Sequence, residues 1–404
     1  MTDPTGPNHK AWRRFRRNKA AVAGLLVIIL TFFIAIFAYE IAPDSTPDAN
    51  EQTLAIAMSP PVTQVRFIEV VKPAPPASVS FLSAFFMGRP SRYESWPIIG
   101  FRMKYDHIFV DVYRGKTRAA ETRRLAYTNM TGRDTFYDPQ GHRIAFTDMD
   151  SGSATYARFY EKTRDAVFRT MLPQKTFWLG TDRFGRDILS RLIIGSRVSL
   201  FVGLVAVLIS LLIGVIAGAL AGYYRGWIDE VILWIINVFW SIPTILLAMG
   251  LYVGAGTVIE SKLLLIFIAV GLTMWVEVAR IVRGQFILVR EFEYVTAAQS
   301  MGFGSARTIF RHILPNILGP VIVVACSNFA SAILIESGLS YIGLGVQPPT
   351  PSWGGMLSEY KNFIDSDKAF LALAPGIAIM VLVLAFNLVG NGLRDALDVK
   401  GKPE

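Results

Sequence analysis

The residue types that could perform catalysis or hold a cofactor are present in this chain, but they do not form a recognisable set. Gly115-Lys116-Thr117 has the ending of a phosphate-binding loop, yet Val110 stands where that motif needs its first glycine. No Gly-x-Ser-x-Gly elbow marks an activated serine. None of the histidines has a second histidine or a cysteine at metal-ligand spacing: His9, His107, His142 and His312. We therefore predict that the chain is not an enzyme and that it binds no nucleotide or metal itself.

Residues 148–152 come nearest to a cation-binding motif. Asp148, Asp150 and Gly152 resemble the start of a calcium loop, but the glycine comes one position early. Phe159 stands where that loop requires its last ligand, a glutamate. The sequence therefore argues against calcium.

Composition places the chain in a membrane. It has 404 residues, of which 52% are hydrophobic, and its mean hydropathy is +0.41. A helix needs about 20 apolar residues to cross the hydrocarbon core of a bilayer. We predict an all-α polytopic membrane protein with six transmembrane helices, near residues 20–39, 198–222, 231–254, 263–283, 317–336 and 369–391.

Polar side chains within these spans are candidates for a translocation path, because ionisable groups in hydrocarbon are costly and often functional. Asn328, Ser331 and Glu336 all fall in or at the end of the fifth span. The alternative is that such residues form hydrogen bonds between helices, or that Glu336 lies in the headgroup region. Glu277 and Arg280 are three residues apart and are spaced to pair on one helix face.

The net charge of +9 is explained by membrane topology rather than by nucleic acid. Basic residues gather beside the spans, at positions 13–19, 280–311 and 394–402, and are not interleaved with aromatics on a soluble helix. Short loops rich in Lys and Arg stay in the cytoplasm. We therefore predict that both termini and the loop 284–316 are cytoplasmic.

The chain becomes polar between the first and second spans, from about residue 44 to residue 175. Within this stretch, residues 135–137 and 144–146 flank Asp138-Pro139-Gln140-Gly141, which favours a hairpin turn. A segment of this length can bury a small core of its own. We predict an inserted α+β domain on the extracytoplasmic side.

Residues 293–315 form a polar stretch between two spans, and their pattern is that of a docking element. Ala297 and Ala298 would let another surface approach a helix closely, and Gly302 can adopt the positive φ that ends it. Pro315 can open the next helix. The loop is expected to present a short helix to a partner.

This stretch resembles the cytoplasmic coupling loop of bacterial ABC importer permeases, whose form is Glu-Ala-Ala, three residues, Gly, nine residues, Ile, any residue, Leu-Pro. Ala297, Ala298, Gly302 and the pair Leu314-Pro315 match it. Thr296 stands in place of the glutamate and His312 in place of the isoleucine. Together with Tyr294-Val295, this variant is similar to the C-type permease of the dipeptide, oligopeptide and nickel importers.

Two further segments follow the order of motifs in that subfamily. One is 179–192, Leu-Gly-Thr-Asp-Arg-Phe-Gly-Arg-Asp-Ile-Leu-Ser-Arg-Leu. The other is 339–354, where Leu-Ser-Tyr-Ile-Gly-Leu-Gly precedes Pro-Pro, Pro and Trp-Gly. The resemblance covers about residues 10–43 and 176–399, so the inserted domain inherits nothing from it.

The resemblance implies a transmembrane permease subunit of the type I ABC importer fold, in the bacterial inner membrane. Its partners would be a second homologous permease, two ATP-binding subunits that carry ATP and Mg, and an extracytoplasmic solute-binding protein. The solute would be a di- or oligopeptide. The residues that couple to the ATPase would be Glu293, Thr296, Ala297, Ala298, Gly302, Arg307, His312, Leu314 and Pro315.

These inferences divide the chain into three parts: residues 1–43 with the first span, the inserted domain 44–175, and a permease core 176–399 with five spans. An alternative from another class is a membrane-anchored scaffold or sensor that acts through its extracytoplasmic domain. The docking loop is the feature that argues against this alternative.

Overall fold

The computed structural model describes residues 7–74, 76–104, 107–115, 118–126, 135–137, 143–145, 172–256, 258–259 and 261–397. The chain divides into two compact units. The helical unit comprises Met1–Ala38, Leu192–Ile364 and Ala372–Glu404, and the sheet unit comprises Tyr39–Arg191 and Asp365–Leu371.

Most of the described chain is helical. The helices in chain order are α1 Pro7–Arg17, α2 Lys19–Ile36, α3 Ala38–Ile41, α4 Phe81–Met87, α5 Ile188–Tyr224, α6 Gly226–Trp240, α7 Thr244–Ala255, α8 Lys262–Val289, α9 Glu293–Ser300, α10 Ser305–Arg307, α11 Leu314–Tyr341, α12 Trp353–Tyr360 and α13 Phe370–Leu397. Among them, five helical segments are long and apolar enough to cross a membrane, or six if the bent pair α6–α7 is one span.

The predicted third span, residues 231–254, is not one straight helix. Instead α6 and α7 meet at an angle of 92° across the short break between them. Pro243 lies in this break as the residue before α7, where its missing N–H is no loss, and inside a straight helix it would remove a hydrogen bond. The hydropathy of the sequence predicted the span, and the proline is the only signal in it for the bend.

The bent pair nevertheless connects the two ends of the helical unit. The start of α6 contacts the end of α8, where Asp229 pairs with Arg283. At the other end, Ala248 and Tyr252 of α7 pack with Leu265 and Phe267 near the start of α8. Because α6 begins at one end of α8 and α7 finishes at the other, the pair traverses the unit as one span would.

Three glycines on α5 allow close packing against α8. A Cβ atom on Gly214 would lie 2.5 Å from Val278 Cβ, and one on Gly218 would lie 2.5 Å from the carbonyl oxygen of Ala279. Gly222 faces Phe286 and Arg283 in the same way. The spacing of four residues places these glycines in one stripe, on which the neighbouring helix contacts backbone.

Helix α12 was not predicted from the sequence, although Trp353, Met356 and Tyr360 recur at helical spacing and are buried. It packs on α11 through Gly354, whose added Cβ would lie 2.6 Å from Ser337 Cα. The indole N–H of Trp353 donates to the carbonyl oxygen of Leu192, at 2.9 Å. These contacts place α12 at the end of the unit formed by the start of α5 and the end of α11.

The sheet unit contains an antiparallel five-stranded sheet in the order β4-β3-β2-β1-β7. Adjacent residues of β1 point to opposite faces. Ile68 packs with Ile98, Ile108 and other aliphatic residues, and Phe67 packs with Ile56 and Phe177, so both faces are buried. The strands are β1 Thr63–Val71, β2 Tyr93–Lys104, β3 His107–Val112, β4 Glu121–Ala126, β5 Thr135–Tyr137, β6 Arg143–Ala145 and β7 Gln174–Phe177.

Strands β5 and β6 pair with each other as an antiparallel hairpin. This confirms the strands predicted on either side of residues 138–141, with the second one starting a residue earlier. The turn itself and the rejected calcium motif at 148–152 lie outside the described residues.

The segment 179–192 is a closed loop followed by a helix start. Asp182 is fully buried and accepts hydrogen bonds from the backbone N–H groups of Phe184 and Arg186 and from the Arg186 guanidinium. Asp187 caps the helix that follows, because its carboxylate accepts from the backbone N–H of Ser190 at 2.9 Å. Ile188 and Leu189 therefore begin α5.

Candidate coupling surface and membrane cavity

The short helix predicted in the docking loop is α9, and it has one buried and one exposed face. Val295 and Ala298 are buried against the chain, at 0% and 1% exposed. Glu293, Thr296 and Ala297 are exposed. Ala297 is therefore the alanine available to a partner, and Ala298 serves the packing of α9 on its own protein, which corrects the expectation that both present an external surface.

The turn after α9 requires a glycine for its backbone rather than for lack of space. Gly302 has φ of +79°, as predicted, and no atom lies within 4 Å of a Cβ built on it. Its N–H donates to the carbonyl oxygen of Gln299, and the N–H of Phe303 donates to the carbonyl oxygen of Ala298. Residues with a side chain rarely adopt this φ, so the turn geometry depends on the glycine.

An aromatic stack follows the turn. The rings of Phe303 and His312 are nearly parallel, with centroids 5.6 Å apart, and the Arg307 guanidinium lies 4.0 Å from the Phe303 centroid. His312 is half-buried, and its Nε2 atom has no hydrogen-bond partner among the described residues. The stack fixes the position of the exposed Arg307, one of the predicted coupling residues.

A π-helical turn, which the sequence analysis did not foresee, connects this stack to α11. It covers Thr308–Ile313, and α11 then begins at Leu314 with Pro315 in its first turn, as expected. The exposed Asn316 donates from its side chain to the carbonyl oxygen of His312, at 2.6 Å. Partial burial raises the pKa of Tyr294, so its phenol stays neutral beside Asn316, its hydrogen-bond partner. Single π-helical turns are frequent at functional sites.

Three arginines clasp the end of α8 to the α5–α6 junction. Arg283 makes a bidentate pair with Asp229 of α6, at 2.5 and 2.6 Å. Arg225 lies between α5 and α6, and it contacts Glu291 at 2.5 Å. Arg290 donates to the carbonyl oxygen of Tyr223. We call these contacts the arginine clasp; the sequence indicated only that basic residues cluster there.

A cavity of about 540 Å³ lies among α6, α7, α8 and α11 of the helical unit. Ser331, Glu277 and Arg280 line it, together with apolar residues. The Arg280 guanidinium lies 3.5 Å from the ring centroid of Trp240. Arg280 therefore contacts this indole rather than Glu277, with which it was expected to pair.

Of the three residues predicted to line a translocation path, Ser331 lines this cavity, and Asn328 and Glu336 do not. The Asn328 amide is buried and donates to Ser210 Oγ and to the carbonyl oxygen of Met274, at 3.5 and 3.4 Å. Glu336 is fully buried and accepts from the Ser340 hydroxyl at 2.8 Å. Asn328 therefore makes hydrogen bonds between helices, the alternative left open by the sequence, whereas the hydrogen bond of Glu336 lies within α11.

Family models match two parts of the chain. The one described as "Binding-protein-dependent transport system inner membrane component" matches residues 210–400. The one described as "N-terminal TM domain of oligopeptide transport permease C" matches residues 6–61. The first match overlaps the region 176–399 that carried the sequence resemblance, and the second covers the region 10–43 and extends into the start of the predicted inserted domain.

The alignments with two relatives cover most of the length of those proteins. The dipeptide transport system permease protein DppC of Alkalihalophilus pseudofirmus is 44% identical over 230 residues, which is 57% of this chain and 74% of the relative. The glutathione transport system permease protein GsiD of Pectobacterium atrosepticum is 40% identical over 233 residues, 57% and 75% respectively.

Among solved structures, an inward-facing MetNI methionine ABC transporter aligns with a TM-score of 0.44 and 17% identity, over 52% of this chain and 97% of that one. The sequence relatives decide the assignment. The chain belongs to the binding-protein-dependent inner membrane components, the family of ABC importer permeases, which transport and do not themselves catalyse.

Proposed function

We propose that this chain is one of two permease subunits of an ATP-driven importer of short peptides, with the six-span type I arrangement. The observation that carries the proposal is the exposed face of α9 beside the Gly302 turn, on a segment held to the helical bundle by Val295 and by the arginine clasp. Peptides are the cargo because relatives at 40–44% identity are named for dipeptides and glutathione.

In this proposal α9 fits a groove on an ATP-binding subunit. The exposed residues Glu293, Thr296 and Ala297 would contact it, and Arg307 would lie at the edge of the contact. Closure of the two ATP-binding subunits around ATP and Mg would displace α9. The buried residues Val295 and Ala298, with the clasp, would pass that displacement to α8 and α11 as a rigid movement.

The membrane cavity is the part of the path that this chain supplies. Ser331, Glu277 and Arg280 offer a hydroxyl, a carboxylate and a guanidinium, which together suit the zwitterionic ends of a peptide. The second permease would cover the apolar surfaces of the spans. An extracytoplasmic binding protein would deliver the solute, so the cavity itself need not be selective.

The topology belongs to the proposal too. We place both termini and α9 in the cytoplasm, and residues 44–175 outside as an inserted α+β domain that contacts the binding protein or the second permease. Residues 176–399 form the permease core with the coupling loop 284–316. The positively charged segments beside the spans support this orientation.

Site-specific crosslinking tests the docking of α9. Cys326 is the only cysteine, so Cys326→Ala gives a cysteine-free background. In complexes with the co-expressed ATP-binding subunit, Thr296→Cys is expected to crosslink to that subunit. Lys361→Cys, exposed at the other end of the helical unit, is the control and is expected not to crosslink.

Crosslinking is paired with uptake of labelled dipeptides by proteoliposomes that hold the full complex. A docked α9 with no peptide uptake would refute the cargo but not the coupling surface. Normal peptide uptake by cells that lack this chain, with no crosslink from position 296, would instead favour the scaffold or sensor.

A further inference from the structure

The sheet unit contains a cavity of about 340 Å³ that the transport proposal does not use. Three carboxylates line it, from Asp44, Glu51 and Asp187, against one ammonium, from Lys175. The volume falls within the range of small-molecule sites. All of its lining residues belong to the sheet unit.

One carboxylate oxygen in this cavity lacks a partner. Asp187 is 6% exposed, and its Oδ2 atom accepts from the backbone N–H of Ser190 and from the Ser190 hydroxyl. Its Oδ1 atom has no hydrogen-bond partner within the described part of the chain. A buried oxygen left in this state costs free energy, which indicates that a donor from outside the chain binds there.

The other two carboxylates already have their donors. Asp44 accepts from the backbone N–H and hydroxyl of Thr46 and from the backbone N–H of Glu51, at 2.6–3.2 Å. Glu51 accepts from the Ser95 hydroxyl at 2.5 Å and from Lys175 at 3.0 Å. A calcium ion needs six to eight oxygen ligands, and the described part of the chain holds no group of three metal-ligating side chains. A single ammonium group needs far fewer acceptors.

The remaining wall of the cavity is aromatic. Phe67 and Phe177 are buried with ring centroids 6.2 Å apart, and Trp178 is 58% exposed. Lys175 already places its ammonium 5.2 Å from the Phe67 ring centroid, so a cation fits against this wall. We infer that the cavity binds a small organic primary ammonium, with the charged group on Asp187 and the apolar body against the aromatic side chains.

Calorimetric titration of the full chain in lipid nanodiscs tests this inference, with 2-phenylethylamine as the probe. The amine is expected to bind saturably, and 2-phenylethanol, which has the same shape without the charge, is expected not to bind. Asp187→Asn removes the negative charge of this side chain and replaces one acceptor oxygen with an NH2 donor. It should weaken binding of the amine about 10-fold to 100-fold. The matched control is Asp111→Asn on β3, whose carboxylate accepts from Thr122 away from the cavity and should leave binding unchanged.

A second variant keeps the test decisive if Asp187→Asn does not fold. Trp178→Ala removes a ring that is 58% exposed, so the fold should tolerate the change, and amine binding should weaken about twofold to thirtyfold. The inference is overturned if the amine gives no saturable heat, if 2-phenylethanol binds equally well, or if both cavity variants bind like the control. None of these results bears on peptide uptake, because the site is independent of the proposed cargo.

Discussion

The most informative single residue is Gly302, because its role follows from backbone geometry alone. At φ of +79°, a β-branched side chain is strained by about 1–2 kcal/mol, although no neighbour would clash with it. That strain corresponds to roughly a tenfold loss of the conformation that presents α9.

Gly302→Val is therefore expected to lower peptide uptake about tenfold while the chain still inserts in the membrane. ATP hydrolysis by the complex should become less dependent on solute. Uptake and ATPase rates of the reconstituted complex measure both effects. Gly302→Asn is the control, because asparagine tolerates positive φ, and it should keep most of the activity. Equal uptake by the valine variant and the native chain would contradict the role given to this turn.

The burial of Asp187 predicts how the stability of the protein changes with pH. Burial raises the pKa of the Asp187 and Asp44 carboxyls above the ordinary value of 3.8, and the neighbouring charge of Asp44 raises that of Asp187 further. The folded protein then binds more protons than the unfolded chain between the ordinary and the raised pKa. Stability therefore falls as pH rises through this window, and the penalty is complete above the raised pKa.

Asp187→Asn should make the unfolding temperature less dependent on pH, because the amide does not ionise and still caps α5. Thermal unfolding of both chains from about pH 4 to pH 8 measures the difference, which cancels the contributions of other carboxylates. A pH dependence that is the same in both chains would show that Asp187 carries no such penalty.

At the scale of elements, the arginine clasp connects the coupling loop to the bundle. The Arg283–Asp229 pair is mostly buried, with side chains 26% and 14% exposed, and it is bidentate. Breaking such charged hydrogen bonds costs about 1–3 kcal/mol. Asp229→Asn should therefore lower the unfolding temperature and reduce the coupling of ATP hydrolysis to uptake.

The chain offers its own control for the clasp. Arg225 and Glu291 also pair at 2.5 Å, but their side chains are 42% and 67% exposed. Exposed ion pairs contribute less than about 1 kcal/mol, so Glu291→Gln should change stability and coupling little. If Glu291→Gln were as harmful as Asp229→Asn, net charge at this end of the bundle would matter rather than the buried pair.

Hydropathy predicted five of the six spans as single helices, but the glycine spacing in α5 does not identify α8 as the helix that packs on it. Pro243 indicates a bend or a helix start but not the right angle, and nothing in residues 308–313 indicates a π turn. The clasp was also out of reach. Asp229 and Arg283 are 54 residues apart, and only the folded structure brings them together.

In the candidate sites, features that depend on a single residue could be predicted from the sequence, and contacts between distant residues could not. The positive φ of Gly302 follows from residue type and position, and the structure has it. The three polar residues of the fifth span were grouped by sequence proximity, yet their side chains point to different neighbours around the helix. The Asp187 cavity joins residues from 43 to 187, a separation for which one sequence gives no signal.

At the scale of the molecule, the helical unit has a consistent polarity. The ends of α5 and α8 and the start of α6 meet at the clasp, and α9 follows there. The start of α2 lies at the end of α13, where Ala21 contacts Gly392, and Gly319 near the start of α11 contacts Leu397. The described parts of the segments predicted to be cytoplasmic therefore lie at one end of the helical unit.

Cysteine labelling in intact cells decides which end is cytoplasmic. In the Cys326→Ala background, Ser80→Cys is exposed in the inserted segment and should react with a membrane-impermeant maleimide added outside. Thr296→Cys should react only after the membrane is permeabilised, because the chain crosses the membrane an odd number of times between positions 80 and 296. Both variants should label fully in detergent, which controls for burial. Labelling of position 296 from outside would invert the orientation and remove α9 from reach of any cytoplasmic ATPase, and the coupling mechanism would fall with it.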